Sequence, residues 1–555
     1  MGDRAAAWGV KRAYVGYRGD PVRPPDSTID AIVAAMAGTR TRRPKRSSPD
    51  ADEVNLCASP PARAWGWAVQ VYAIRSRESW GIGDLADLRR LGRWAKESGA
   101  SVMLISPLGA QAPTPHQEPC PYYSSSRRFR NTLYLRVEEI PGAERCAADL
   151  APLRDAAHAL NSRRHIDHDT AFHLKLQALE HVFRAQPEPK GLAGWVKSRG
   201  RALRDFAAFN AIEEDHGPAW RTWPAALRHP RSPGVELESR RLSDRVDFHA
   251  WTQFHLDQQL AKAAAEIELV ADVPVGFAAD GCDAWRWQDL LAPGMRVGAP
   301  PDHFFPDGQD WGMPAFDPWK LAAAHFEPYV EALRSASAHA GGLRLDHVMS
   351  LFRLFWIPDG ATASDGAYVL YPSRPMMQIL ASESARSDAF VIGEDLGLVQ
   401  ASVRAAMRRR RALGYKLLWF DDLPPAHWPR NTVASIGTHD LPTVPGIWTL
   451  SEPDHRHHHL RQRLLEVTGL HDGADPVDVA VAAYASVATA RSRVALASLE
   501  DALGVEERTN VPGTTSEWPN WRLALPQPLE EIERKSGPTR IAEVMAAAGR
   551  SARRR

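Results

Sequence analysis

Eight short apolar segments recur along the chain, and segments with helical periodicity separate most of them. The apolar segments are rich in β-branched side chains and of strand length, which is typical of buried strands. Strands that alternate with helices form βαβ units with parallel pairing, and eight is the strand number of a (β/α)8 barrel. We therefore predict an α/β fold, a (β/α)8 TIM barrel with mostly helical insertions, with a doubly wound sheet as the competing arrangement. The predicted strands are residues 67–73, 102–106, 269–277, 343–348, 389–392, 416–420, 432–436 and 493–499.

The connection between the second and third predicted strands is too long for a simple crossover, and a compact domain does not carry so long a loop without structure of its own. Helical patterns at residues 149–160, 171–183, 191–209 and 251–268 predict a mostly helical insertion at about 110–265. We expect three regions: residues 1–60 as a short N-terminal segment and linker, 61–530 as the barrel with its insertion, and 531–555 as a C-terminal helix and basic tail.

Within the first region, residues 14–20 predict a strand and turn, and residues 28–38 a short helix. Residues 39–60 are rich in Arg, Pro and Ser, which is typical of a flexible linker. At the other end, residues 550–555 are basic and polar, so we expect a frayed terminus.

The charge of the chain is nearly balanced. Its 555 residues include 68 Lys or Arg and 67 Asp or Glu, a formal net charge of +1, whereas nucleic-acid and membrane-surface binders need a basic excess. No apolar run approaches the roughly 20 residues that cross a bilayer, and residues 1–10 lack the apolar core of a signal peptide. Four scattered cysteines fit a reducing compartment. We therefore expect a cytoplasmic protein without nucleic-acid or membrane partners.

Acidic residues follow three of the predicted strands. Asp346, Glu394 and Asp440 each stand at a strand exit, and the exits of a parallel barrel share the face where active sites are built. Converging carboxylates repel one another, which raises the pKa of at least one of them. A catalytic pair needs this difference, because one member must be protonated and the other ionised at neutral pH. The simpler interpretation of any single one is a helix cap or an ion pair. Three together, two of them beside a histidine, favour a catalytic cluster.

Other patterns give weaker signals. Residues 455–459 and 165–168 contain histidine clusters with a metal-like spacing, but neither has a companion cysteine or a convincing carboxylate set, so we expect surface charges. No glycine-rich phosphate loop follows a strand. We predict no metal and no cofactor.

Three strand-exit segments resemble the catalytic segments of the amylomaltases, the 4-α-glucanotransferases of glycoside hydrolase family 77. Six further segments resemble the same family in the same order, so that the similarity covers roughly residues 65–525. The catalytic segments are Arg344-Leu345-Asp346-His347, Gly393-Glu394-Asp395-Leu396-Gly397 and Thr438-His439-Asp440-Leu441-Pro442-Thr443. The others are residues 79–85, 121–128, 298–302, 308–312, 510–514 and 519–522.

The resemblance implies a retaining double displacement on α-1,4-glucans. Asp346 is then the nucleophile, Glu394 the general acid and base, and Asp440 the residue that binds sugar hydroxyls and stabilises the transition state. A retaining pair sits about 5 Å apart, which neighbouring strand exits supply. Arg344 points to the same side of its strand as Asp346 and is expected to hold it ionised.

The resemblance also implies a set of sugar-binding residues. His347 and His439 are expected to bind hydroxyls of the reacting (−1) sugar, and Tyr122 to stack on it. A lid bordering the acceptor subsites is expected to carry Trp311, Gln309 and Asp302, with Asp280 on the donor side. The chain departs from the family after Tyr122, where the usual Ser-Pro-Ser-Ser is replaced by Tyr-Ser-Ser-Ser at residues 123–126.

The resemblance therefore predicts a 4-α-glucanotransferase that uses maltooligosaccharides as donor and acceptor, as a monomer or small homo-oligomer. Two alternatives remain open. A hydrolase of the same glucans shares every catalytic residue and differs only in whether water attacks the glycosyl enzyme. A catalytically silent glucan-binding protein is disfavoured because all three carboxylates are present.

Overall fold

Eight parallel strands form the centre of the molecule. The computed structural model describes residues 2–38, 55–185, 189–302, 305–451 and 455–551. Numbered in chain order, β1 to β8 are Ala64–Val69, Val102–Ile105, Glu268–Val273, Gly342–Leu345, Phe390–Gly393, Gly414–Leu417, Thr432–Ser435 and Val494–Ser498. Ladders join each strand to the next from β1 to β5 and from β6 to β8, including β2 to β3 across the long insertion, and β8 returns to pair with β1. A parallel bridge between Ile392 and Leu413 joins β5 to β6 and completes the ring. The barrel is confirmed.

Helices surround this ring and fill the insertion. The helix after β1 begins with a capping box, in which the Asp84 side chain accepts hydrogen bonds from the backbone N–H groups of Ala86 and Asp87. Of the barrel helices, Leu85–Glu97 and Ser243–Ala264 pack against each other beside β1 to β3. The helices of the described residues are Gly2–Ala7, Asp26–Ala37, Leu85–Glu97, Ala147–Ala159, His168–Ala185, Leu192–His216, Pro233–Arg241, Ser243–Ala264, Cys282–Arg286, Pro318–Ala323, Glu327–Ala336, Ser373–Ser387, Ala401–Arg409, Val444–Thr449, His455–Thr468, Pro476–Ala488, Leu499–Ala502, Leu529–Ile532 and Ser536–Ala547.

The connection from β2 to β3 is mostly helical, as predicted. Five of the helices above lie in it, and the longest, Leu192–His216, bends at Gly200, which has a positive φ of 63°. The connection also contains a short antiparallel pair, Gly109–Ala110 with Ser126–Arg130. That pair places the loop around Tyr122 over the carboxyl ends of the barrel strands.

A second sheet, which the sequence did not predict, stands beside the barrel. It has four antiparallel strands, in the order Ala367–Leu370, Arg353–Pro358, Leu291–Ala299 and Gln309–Phe316. Two of these strands follow β3 and two follow β4, so the sheet is built from loops at the carboxyl-terminal face. The two strands that follow β3 contain Pro293, Gly294, Gly298, Gly312 and Pro314, and proline and glycine inside a segment argue against a strand.

Residues 2–38 pack on this second sheet. Val10 forms an antiparallel bridge with Val369, and the indole rings of Trp8 and Trp319 meet edge to face at 6.2 Å. The predicted turn lies between the paired strands Tyr14–Val15 and Pro21–Val22, and the predicted helix is Asp26–Ala37. The predicted linker at 39–60 lies outside the described residues up to residue 54.

Three local predictions hold only in part: the basic terminus is anchored at Arg550, and one histidine of each cluster is buried, whereas His165, His458 and His459 are exposed. Arg550 is fully buried and donates to the carbonyls of Ala64, Ala488, Ala490 and Ser492, so this residue is anchored and not frayed. His168 and His457, expected as surface charges, are both buried. For His168, burial lowers the pKa to about 4.

Four predicted strands end three or four residues earlier than expected, at Val69, Val273, Leu345 and Leu417. The strand that ends at Val69 continues as a 3-10 turn, and Val273 is followed by a proline without an N–H for the ladder. Among the described helices, none combines the length and apolar character needed to cross a membrane.

Candidate active site

Two carboxylates occupy equivalent positions on neighbouring strands. Leu345 and Gly393 are partners in the β4–β5 ladder, so Asp346 and Glu394 are the next residues on adjacent strands. Parallel strands lie about 4.8 Å apart. The two side chains therefore emerge side by side at the carboxyl-terminal face of the barrel.

Arg344 lies beneath Asp346 in the barrel interior. Its side chain is 4% exposed and donates to both oxygens of Asp272 at 2.7 Å and to Asp346 at 3.1 Å. Asp272 is the ladder partner of Arg344 on β3, and it also accepts the Tyr122 hydroxyl at 2.6 Å. One buried cation thus holds two carboxylates, and one of them fixes the ring of Tyr122.

Burial sets the protonation of the two strand-exit carboxylates. It raises the pKa of Asp346 to about 6, with Arg344 opposing the rise and Asp272 and Asp440 adding to it. It raises the pKa of Glu394 to about 7, again with Arg344 opposing and the charge of Asp346 adding. Near neutral pH the pair therefore favours an ionised Asp346 beside a Glu394 that holds its proton for much of the time.

Backbone groups fix the position of Glu394. Its oxygens accept the N–H of His347 at 3.0 Å and of Leu396 at 2.6 Å. His347 has a positive φ of 41°, an uncommon conformation for a residue with a side chain, and this turn aims its N–H at the carboxylate. Burial lowers the pKa of His347 to about 4, so its ring is neutral.

Asp440 approaches the same cleft from the loop after β7. Its oxygens meet His439 Nε2 at 3.2 Å and the Asn510 side-chain amide at 2.7 Å. Although burial acts in the opposite direction, His439 and Asn510 lower the pKa of Asp440, and Asp440 raises the pKa of His439. This carboxylate is therefore the one that stays ionised throughout the neutral range.

Aromatic rings line one wall of the cleft. Tyr122, His439 and Trp521 form a triangle with ring centroids 5.1 to 5.4 Å apart. On the opposite side, Trp311 meets the ring of His347 edge to face at 5.4 Å and donates to Gln309 at 3.2 Å. Flat apolar faces at this spacing suit the rings of sugars.

The structure brings most of the predicted site residues together, whereas Asp302 and Asp280 lie at the edge of the cleft with partners of their own. Asp302 accepts the N–H of Phe305 at 2.7 Å and closes a turn at the rim. Asp280 is 57% exposed and pairs with Arg221 at 2.5 Å. The Tyr123 hydroxyl accepts from the N–H of Ala279 at 3.3 Å and donates to Gly312 at 3.4 Å, so the altered loop joins both rims of the cleft.

Three residues of the cleft escaped the sequence analysis. Asp272 lay inside a predicted strand, where a carboxylate in the run Leu-Val-Ala-Asp-Val was a usable signal. Asn510 and Trp521 stood in segments that resembled the family but received no role. Their loop follows β8, and only the fold brings it back over β7.

Among the described residues, one cluster has the spacing of metal ligands, and it lies away from this cleft. Asp215, His216 and Glu238 lie within 4.8 Å of one another on the exposed insertion. Arg241 donates to both carboxylates and forms an ion pair with each. The cluster is therefore an ion-pair network.

Comparison with known proteins places the chain among glucan-transferring enzymes. The family model described as 4-alpha-glucanotransferase, glycoside hydrolase family 77, matches residues 69–529. A 4-alpha-glucanotransferase of Mycobacterium bovis is 39% identical over 550 residues, covering 88% of this chain and 75% of that protein. The structure of amylomaltase from Corynebacterium glutamicum superposes with a TM-score of 0.85 at 24% identity, covering 98% and 99% of the two chains. Amylomaltase from Streptococcus agalactiae, solved in complex with acarbose, gives 0.75 at 20% identity, with 88% and 100% covered.

Proposed function

The chain belongs to glycoside hydrolase family 77, the 4-alpha-glucanotransferases, and we propose that Asp346, Glu394 and Asp440 carry the transfer by a retaining double displacement. It is a 4-alpha-glucanotransferase, and the hydrolase alternative is not favoured. The observation that carries the residue assignment is the placement of Asp346 and Glu394 on adjacent strand exits above one buried arginine.

The first displacement breaks the glycosidic bond. A carboxylate oxygen of Asp346 attacks the anomeric carbon of an α-1,4-glucan while Glu394 donates its proton to the departing O4 of the leaving chain. The products are a β-glycosyl ester on Asp346 and a free glucan with a new 4-hydroxyl. A spacing near 5 Å between the two carboxyl groups is what this covalent route needs.

The second displacement reverses the first with another sugar. Glu394, now ionised, removes the proton from the 4-hydroxyl of an acceptor glucan, whose oxygen attacks the same anomeric carbon. The ester bond to Asp346 breaks and the carboxylate is released. The anomeric carbon is inverted twice, so the product keeps the α configuration. Proton transfer and covalent catalysis by carboxylates supply the chemistry.

The surrounding residues support this assignment. Asp440, ionised and held by His439 and Asn510, is suited to bind hydroxyls of the sugar at the reacting carbon and to stabilise the positive charge of the transition state. Tyr122 supplies the stacking surface for that sugar. We assign Trp311 and Gln309 to the acceptor side and Asp302 to its rim. Asp280, which pairs with Arg221, remains a prediction for the donor side.

We further propose maltooligosaccharides as donor and acceptor and the cytoplasm as the compartment. The aromatic walls of the cleft fit glucose rings. All four cysteines are unpaired thiols, in keeping with a reducing environment.

Incubation of the pure protein with maltotriose tests the proposed reaction. Glucose together with maltopentaose and longer chains is the expected outcome, since transfer redistributes glucose units without consuming bonds. Glucose and maltose alone would mean that water takes the glycosyl group, which contradicts the transferase assignment.

Two variants test the residue roles. Asp346→Asn is expected to lower kcat by about four orders of magnitude or more, as loss of a covalent nucleophile does. Glu394→Gln is expected to lose turnover of maltotriose yet still form the glycosyl enzyme from maltosyl fluoride, whose leaving group needs no proton. Wild-type turnover of maltotriose by either variant would overturn its role.

A further inference from the structure

The side chain of Asp440 is more exposed than that of Asp346, the proposed nucleophile. The exposed fraction is 40% for Asp440 and 25% for Asp346. An open carboxylate on a loop has many orientations available. Something must therefore hold Asp440 in one of them if it is to meet the sugar reproducibly.

Asn510 makes two contacts with the segment that carries Asp440. Its side-chain amide donates to Asp440 Oδ1 at 2.7 Å, and its backbone N–H donates to the His439 carbonyl at 3.2 Å. The first contact fixes one carboxylate oxygen and the second fixes the peptide just before it. His439 Nε2 approaches the other oxygen at 3.2 Å.

The loop that carries Asn510 is itself tied down. Asn520 accepts the N–H of Val511 at 2.8 Å and donates to the carbonyl and hydroxyl of Thr514 at 3.0 and 2.9 Å. The backbone N–H of Trp521 donates to the Thr509 carbonyl at 3.1 Å, and the Trp521 ring packs against Tyr122 and His439. This rigid loop is a suitable anchor for a residue that positions another.

We propose that Asn510 is the positioning residue for Asp440, which orients its carboxylate and keeps it ionised through a donor that carries no charge. The proposal rests on the proposed function, because it assigns Asn510 a role only through Asp440. A neutral donor suits this place: it stabilises the anion without forming an ion pair that would compete with the hydroxyls of the sugar.

Removing the donor should slow the reaction without weakening glucan binding. Asn510→Leu keeps the size of the side chain and loses the hydrogen bond. We expect kcat on maltotriose to fall about 10- to 100-fold, the usual effect of losing a hydrogen bond to a charged group, while KM changes less than about threefold because the contact acts on a transition-state residue.

Asn510→Asp gives a readout that a purely structural role does not share. It places a second carboxylate beside Asp440 Oδ1, and such a pair holds one proton at a raised pKa. At low pH the protonated Asp side chain donates to Asp440 and restores the contact. At higher pH the two anions repel each other and Asp440 is displaced.

The test measures kcat/KM of both variants relative to wild type between pH 5 and pH 8. For Asn510→Asp the ratio is expected to rise about 10-fold or more as pH falls across this range, the scale of one pKa unit, whereas for Asn510→Leu it stays flat. Equal, flat ratios for both variants would overturn the proposal. The midpoint of thermal unfolding, measured on each variant, shows whether a loss of activity is caused by unfolding.

A double-mutant cycle with Asp440→Asn separates this inference from the proposed function. If Asn510 acts through Asp440, Asn510→Leu lowers kcat/KM by less than about threefold when it is added to Asp440→Asn. If Asn510→Leu lowers kcat/KM as much in that variant as in the wild type, the positioning role is refuted. If Asp440→Asn alone keeps wild-type activity, the role of Asp440 fails, and an impaired Asn510→Leu would then contradict the inference as well.

Discussion

Asp346 and Glu394 differ in protonation because of their nearest partners. Arg344 donates directly to Asp346 at 3.1 Å, while Glu394 receives two backbone N–H groups and the repulsion of Asp346. Burial raises both pKa values, to about 6 and about 7. The same desolvation thus yields an anion and an acid, since only one of the two carboxylates touches the buried cation.

Arg344→Gln should shift the pH dependence of the reaction. The rate rises as pH passes the pKa of Asp346, because this group acts as an anion, and it falls as pH passes the pKa of Glu394, because that group acts as an acid. Arg344 lowers the pKa of Asp346, so its removal raises that pKa. The ascending limb of kcat/KM against pH, expected near 6 in the wild type, then moves to higher pH. Because Arg344 also opposes the rise of the Glu394 pKa, the descending limb moves in the same direction.

Arg344→Lys is the matched control for this prediction. It keeps the positive charge but has a single donor group and not a planar fork, so the ascending limb should move less than in Arg344→Gln. An ascending limb that stays in place in both variants would show that Arg344 does not control the ionisation of the nucleophile.

At the scale of elements, the β1–β2 contact depends on a residue without a side chain. Gly66 is the ladder partner of Val102, and a Cβ at this position would lie 1.8 Å from the Val102 carbonyl oxygen. The obstacle is backbone, which cannot rotate away. The ring therefore closes at its native diameter only if position 66 stays a glycine.

Gly66→Ala is expected to destabilise the protein by more than about 3 kcal/mol, since overpacking against fixed backbone exceeds the usual cost of added methylenes. The midpoint of urea denaturation measures this. Gly194→Ala is the control: it lies in the helix Leu192–His216, with nothing within 4 Å of its added Cβ. It should stabilise the helix by about 0.5–1 kcal/mol. Similar midpoints for the two variants would contradict the account of the β1–β2 contact.

At the scale of the whole molecule, the N-terminal residues complete the second sheet. Residues 9–11 extend it along Ala367–Leu370 through two backbone hydrogen bonds, from Lys11 to Tyr368 at 2.8 Å and from Leu370 to Gly9 at 2.9 Å. The same sheet carries Trp311 at the rim of the cleft. The N-terminal segment thus supports the sheet that forms one wall of the site.

Trp8→Ala should lower stability and leave catalysis nearly intact. Trp8 is 3% exposed, and truncation of a buried Trp costs about 3–5 kcal/mol. The midpoint of urea denaturation should fall, while kcat/KM on maltotriose at 25 °C stays within about threefold because no side chain of the cleft is altered. Val15→Ala is the control in the same region: Val15 is 70% exposed, and surface changes usually stay within about 0.5 kcal/mol. An unchanged midpoint in Trp8→Ala would mean that this region is not part of the folded core.

The amino-acid sequence alone predicted an α/β fold of eight parallel strands and the acidic residues at three strand exits, with the barrel favoured over a doubly wound sheet. Apolar runs of strand length alternating with helical periodicity allow few arrangements, because parallel strands need crossovers and their faces must be covered. The positions of Asp346 and Glu394 follow directly from this pattern, because strand pairing fixes the place of a residue at the end of a parallel strand. The family resemblance then supplied roles that spacing alone could not.

The partners of these carboxylates come from segments that are far apart in the sequence and meet only in the folded protein. Asp272 reaches Arg344 across the β3–β4 ladder, and Asn510 reaches Asp440 from a loop 70 positions further along the chain. The second sheet, the buried His168 and the anchored Arg550 were unpredictable for the same reason. Local sequence sets the conformation of a segment, but the partners of a polar or apolar side chain are chosen by packing between segments distant in the sequence, on which periodicity carries no information.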